Sequence, residues 1–141
     1  MKAIMLVLSS LIFSSVALAC PDISGEFSCK SKRNSTSIII EAIQNGYTIN
    51  TDGMVADFIA DGKSYDLPST DSMTDAKKIT SCKDDKLIID FNATLLYEGA
   101  VIGKEVLKAA YYMEGSNLKI VRKTKVKGMP LPVQDYTCTR I

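Results

Sequence analysis

The stretch KITSCKDDKLIIDFNATLLY, Lys78–Tyr97, reads as two strands about a turn. Leu87, Ile89, Phe91, Ala93, Leu95 and Tyr97 alternate with Ile88, Asp90, Asn92 and Thr94. A period of two places the first set on one face of a sheet, whereas a helix would need apolar residues three and four apart. Lys83-Asp84-Asp85-Lys86, upstream of that run, has turn composition. As a turn it leaves Asp84 and Asp85 in water, which disfavours an acid–base role for the pair.

The same device recurs along the chain. Residues 38–51, IIIEAIQNGYTINT, carry Asn45-Gly46 between two apolar runs. Asn-Gly suits a turn in which both central residues have positive φ. A hairpin centred there sets Ala42 opposite Ile49 and Ile40 opposite Thr51, with Ile38, Ile40, Ala42, Tyr47 and Ile49 on one face. Residues 54–67, MVADFIADGKSYDL, repeat the pattern about Asp61-Gly62, which sets Phe58 opposite Tyr65 and Ala56 opposite Leu67. Asp57 and Asp66 then face each other on the outward side. Residues 68–77, PSTDSMTDAK, read as a loop. KEVLKAAYYMEG at 104–115 has helix-forming composition, but Leu107, Ala109, Tyr111 and Met113 alternate, so it reads as a strand. Gly115-Ser116-Asn117 turns the chain into LKIVRKTKV, and DYTCTRI at 135–141 is the last strand.

The first nineteen residues have the composition of a secretory signal peptide: Lys2, an apolar run with serines, and the small-x-small site Ala17-Leu18-Ala19. Cleavage after Ala19 leaves residues 20–141 as one domain, with a secreted or periplasmic destination. Lys2 is the one charged residue removed from a chain with 17 basic and 16 acidic residues. The balance near zero argues against a nucleic-acid partner, and no second apolar run is long enough to span a bilayer as a helix. Cys20 raises a choice between lipid anchoring and a disulfide. Ala17 and Leu18 match poorly the small and branched residues that precede an acylated cysteine. Parity favours pairing, because Cys20, Cys29, Cys82 and Cys138 are the chain's four cysteines and acylation would orphan one of them.

Many short strands joined by tight turns leave two bare sheet edges, a template for aggregation. Closure removes them. The expected architecture is therefore all-β: an antiparallel up-and-down β-barrel of about eight to ten strands, with the last strand beside the first. Of the three connectivities open to four cysteines, that architecture is consistent with Cys29–Cys138 and Cys20–Cys82. The first of these pairs places Ile141 opposite Glu26.

With these elements the chain resembles the lipocalin and fatty-acid-binding superfamily, and small exported proteins that open with a Cys-Pro motif. The features that carry the resemblance are Cys20, Pro21, Ile23, Gly25, Phe27 and Cys29, the successive hairpins, and Tyr136-x-Cys138. Gly25-Glu26-Phe27 stands where lipocalins have Gly-x-Trp, and Arg122-Lys123-Thr124 keeps the arginine but not the tyrosine of an Arg-x-Tyr carboxylate reader. The resemblance implies a carrier of a small apolar or amphiphilic ligand.

The chain has no histidine, which excludes His-based triads and His metal sites. The cysteines lack metal-cluster spacing, and no cofactor motif is present. A non-enzymatic, monomeric protein without metal or cofactor is expected. Inward alanines (Ala42, Ala56, Ala60, Ala93, Ala109) leave space that either aromatics fill or a ligand occupies. Along LKIVRKTKVK, Arg122 and Thr124 share a face with Leu118, Ile120 and Val126, so Arg122 either meets an anionic head group or reaches out at the rim. Lys119, Lys123, Lys125 and Lys127 form the other face, as a solvated row or for an anionic partner. The ligand-binding candidates are Arg122 and Thr124, with Phe58, Phe91, Tyr97 and Tyr111 as the wall. The alternative is a protein-interaction module, such as an exported inhibitor of a lysozyme-like enzyme, presenting Pro68–Lys77 and Lys127–Pro132. Exposure of Met129, Leu131 and Val133 together would favour it.

Overall fold

A computed structural model describes residues 20–141; the signal-peptide reading of residues 1–19 lies outside them. The strands are β1 Gly25–Lys30, β2 Ser35–Ile43, β3 Gly46–Thr51, β4 Met54–Ile59, β5 Ser64–Asp66, β6 Met73–Lys83, β7 Lys86–Tyr97, β8 Ala100–Glu114, β9 Asn117–Val126, β10 Met129–Pro130 and β11 Gln134–Arg140. No helix occurs among the described residues. One antiparallel sheet holds every strand, in the order β4-β3-β2-β1-β11-β9-β8-β7-β6-β5, with β10 also on β9. It is a meander curled into a half-barrel.

The turns follow from residues that tolerate positive φ. Asp84 and Asp85 form the β6–β7 turn at φ 53° and 57°, a mirror-image turn whose backbone twist matches the flanking strands. Asp52-Gly53, Glu98-Gly99 and Lys127-Gly128 do the same for β3–β4, β7–β8 and β9–β10. The segment that could pass for helix on composition lies in β8 as far as Glu114, with Gly115 in the turn that follows. Its partners on both sides satisfy the backbone and override the local preference.

The first and last strands meet as expected. Cys29 faces Cys138 across the β1–β11 ladder, the two are disulfide-bonded, and the Ile141 amide donates to the Glu26 carbonyl. Cys20 is bonded to Cys82. Two disulfides fit an extracellular or periplasmic protein. No helix of the described residues is long and apolar enough to cross a membrane.

Two hairpins differ from expectation. At β2–β3 the loop is Gln44-Asn45, so Ile40 faces Ile49 and Ala42 faces Tyr47. Asn45 takes positive φ (62°) while Gly46 begins the strand. Glycine is needed at 46 for another reason: a Cβ there would lie 2.0 Å from the Phe58 carbonyl oxygen. The register slips by two in sum, which preserves the face. Ile38, Ile40, Tyr47 and Ile49 are accordingly buried, although Ala42 is exposed.

Asp61-Gly62 is a corner and not a hairpin. The Gly62 amide donates to the Thr80 carbonyl at 2.9 Å, and Asp61 accepts from the Lys63 amide. The chain is thereby turned away from β4, and Tyr65 faces Lys78. Phe58 faces Tyr47 instead of Tyr65, and Ala56 faces Ile49 instead of Leu67. Asp57 bonds the Thr48 hydroxyl and Asp66 pairs with Lys77, so the two carboxylates do not face each other. The β4–β5 seam interrupts the ladder and is bridged by the Gly62 bond and by Lys78, whose Nζ donates to the Asp57 carbonyl at 2.7 Å.

One end of the half-barrel is filled and sealed. Ile23, Phe27, Leu87 and Leu118 are fully buried there, with Ile38, Ile40 and Ile120 nearly so. Residues 20–24 close the end: Ile23 enters the core, Cys20 is tied to β6, and the Tyr47 hydroxyl donates to the Pro21 carbonyl. Arg140 covers the Phe27 ring and donates to the Ser24 carbonyl. Gly25 permits that approach, because a Cβ would fall 2.3 Å from the guanidinium.

Removing the Cys29–Cys138 link as the double alanine variant is expected to lower stability by about 2–4 kcal/mol, read as the urea midpoint; an unchanged midpoint would contradict the role given to this closure. Thr80 is 1% exposed and its hydroxyl has no partner. Thr80→Val should therefore match or exceed the wild type by up to about 1 kcal/mol in the same assay.

Candidate functional site

Where the core ends, the inner face of the sheet continues upward as a half-buried concave surface. Its composition follows from register. Lys78 faces Phe91, Phe91 faces Leu107, and Leu107 faces Thr124. One inward row thus crosses four strands. Phe58, on the far side of the seam, joins it through the Lys78 ammonium, 4.3 Å above its ring. Phe91, Leu107 and Thr124 are all partly exposed.

One row below, Ala109 faces Arg122. Ala109 is 3% exposed, so the backbone of Arg122 lies on the core side and not on a rim. No bulge interrupts β9 at this point. The guanidinium leans onto the top of the core, where Nη2 donates to the Tyr111 hydroxyl at 3.3 Å and the Tyr136 ring lies 5.9 Å away. No carboxylate lies within salt-bridge distance; among the described residues the ion pairs are Lys77–Asp66, Lys108–Asp90 and Lys119–Asp135. The result is a cationic floor flanked by two phenols, under a wall of Phe91, Leu107 and Thr124. A half-buried guanidinium bonded to a neutral hydroxyl keeps most of its donors free for an anion.

The expected site residues are therefore divided. Arg122, Thr124 and Phe91 lie on adjoining rows of one concave surface, Phe58 borders it, and Tyr111, 4% exposed, lies in the core beneath. Tyr97 stands apart near the β7–β8 turn, 65% exposed. Lys78 and Tyr136 belong to the surface but were not among the candidates. Lys78 faces inward because the ladder runs unbroken from the Asp84-Asp85 turn, with Cys82 on Leu87, Thr80 on Ile89 and Lys78 on Phe91; the irregularity in β6 lies beyond it, between Thr74 and Lys77. Tyr136 was visible as the residue sharing a face with Cys138.

Two grooves mark the ends of the half-barrel. The larger, about 1050 Å³, lies at the sealed end among Pro21, Ala42, Tyr47, Asp61 and Cys82. Its charged lining is Asp22 and Asp61, which offers an anion nothing. The other, about 810 Å³, opens at the unsealed end among Lys32, Arg33, Thr124, Leu131, Gln134 and Tyr136. It shares Thr124 and Tyr136 with the concave surface, and its charged lining is Lys32, Arg33 and Asp135, the last paired with Lys119. Met129, Leu131 and Val133, on the connection from β9 to β11, are exposed together at 65%, 48% and 57%.

Burial lowers the Lys78 pKa, and Asp57 opposes the shift only in part. The folded chain thus releases this proton at a lower pH than the unfolded chain. Between the two pKa values the unfolded state binds more protons, so this group makes stability rise with pH. Burial raises the pKa of Tyr47 and a hydrogen bond to Asp61 raises that of Tyr65, which gives the opposite slope. Both tyrosines are common to wild type and Lys78→Gln. The stability of the wild type relative to Lys78→Gln should increase from about pH 8 to about pH 10 in urea titrations; a flat or falling difference would contradict the burial of the ammonium.

No protein-family model matches the chain, and no curated protein matches it significantly in sequence.

Proposed function

We propose that the protein is a non-enzymatic, lipocalin-like carrier of an anionic amphiphile. The ligand's head group meets Arg122 and its chain runs along the apolar wall toward the open end. The observation that carries this reading is the half-buried, inward Arg122, which has a phenol for a neighbour and no carboxylate within reach. A cation of this kind, withdrawn from water without a counter-ion, gains most from a ligand that supplies one. Phe91 and Leu107 provide the apolar surface that a hydrocarbon chain would cover. Thr124 adds a hydroxyl beside the head group. The filled core restricts the ligand to the open half of the half-barrel.

Titration with a fluorescent long-chain fatty acid tests this reading, with the corresponding alcohol as the neutral control. Arg122→Gln should weaken acid binding about ten-fold, equivalent to about 1.4 kcal/mol, and leave alcohol binding unchanged. Leu107→Asp should weaken both. Equal loss of acid and alcohol in Arg122→Gln, or no binding of either probe by the wild type, would overturn it.

A further inference from the structure

The outer face of β8 and β9 is a lysine field beside an apolar tip. Lys104, Lys108, Lys123 and Lys125 point outward on the two strands, and Lys127 begins the turn that follows. Lys108 and Lys123 are directly opposed across the ladder, an arrangement that costs stability between like charges. The nearest acid on this face is Asp90, 3.9 Å from Lys108, and both side chains are well exposed. A contact that long and that wet neutralises little.

The apolar residues lie at the end of the same ribbon. Val101 and Ile102 are 67% and 42% exposed next to the β7–β8 turn, and Met129 is 65% exposed next to the β9–β10 turn. An irregularity between Leu95 and Leu96 shifts the pairing there, leaving Ile102 without a partner across the ladder. The Lys127 amide donates to the Lys104 carbonyl, and the stem of Lys127 lies against Gly103. Both turns therefore belong to the same end of the half-barrel, which is also the open one. The tip has one carboxylate in its turn, Glu98.

We propose that this end docks on an anionic lipid bilayer. The apolar tip enters the head-group layer, and the lysines flanking it meet lipid phosphates. Charge and apolarity are arranged as such a surface requires: exposed aliphatic side chains lead, and cations follow within a few residues along the same two strands. An acidic protein would use the lysine field but would leave Val101, Ile102 and Met129 in water. The proposal stands independently of the carrier reading, because these lysines alternate with Arg122, Thr124 and Leu107 and so lie on the opposite face of the sheet.

Sedimentation with vesicles tests it. The wild-type protein should sediment with vesicles of phosphatidylglycerol mixed about equally with phosphatidylcholine, and not with phosphatidylcholine alone. Added salt should weaken the binding. Lys123→Glu with Lys125→Glu should weaken it by at least about ten-fold at an unchanged melting temperature. Ile102→Ser with Met129→Ser should remove the part that survives high salt. Failure of the wild type to sediment with the anionic vesicles overturns the proposal, as does unchanged binding by the double glutamate variant. Retention on immobilised polyglutamate without vesicle binding overturns it in favour of an acidic protein partner.

Discussion

The ladder between β1 and β11 is the constraint on which the other features rest. Without it the strands would fall into two sheets, β4-β3-β2-β1 and β11-β9-β8-β7-β6-β5, with β1 and β11 as bare edges, and Phe27, Cys29 and Cys138 would line no interior. With it, β1 is held between β2 and β11, and its inward residues become the centre of the core. The disulfide at Cys29–Cys138 fixes the register at one rung. A slip of one residue would turn Phe27 to solvent, so the covalent link and the hydrophobic pattern enforce the same alignment.

From that closure comes the asymmetry of the molecule. The N-terminal segment reaches the half-barrel at one end only, bringing Ile23 beneath the core and Cys20 to β6. The other end has no such plug. There the long strands β7 and β8 rise past the core, and their inward residues remain half covered. The Arg122 guanidinium lies at the boundary between the two regimes, low enough to touch Tyr111 and high enough to stay accessible. The proposed carrier role rests on the residues found there.

Most of the architecture was legible because turn chemistry and period-two alternation agree along this chain. The Asp84-Asp85 turn, the β8 strand, the meeting of the termini and both disulfides follow from local patterns and from strand counting. The failures are equally local. Asp61-Gly62 has the composition of a hairpin turn, but its direction is decided by a hydrogen bond from Gly62 to Thr80, eighteen residues further on. Gly46 looked like a turn residue and serves as a point of close backbone approach. Of the site, the inward face of β9 could be read directly, since Leu118 and Ile120 point Arg122 the same way. The inward position of Lys78 follows in the same way, from alternation with Thr80 and Cys82 back from the Asp84-Asp85 turn, whereas the irregularity between Thr74 and Lys77 has no sign in the pattern.

The order of strands has a further meaning for synthesis. β1 acquires its second neighbour only from β11, the linked Cys29 and Cys138 being 109 residues apart, so its edge stays bare while everything between is assembled. Contacts this distant in sequence form late, and a nascent chain in this condition exposes Phe27 and the β1 backbone to other chains. Half-made molecules are thus the most adhesive form of the protein, and the short interval before Gln134–Arg140 emerges is when a holding chaperone would matter most.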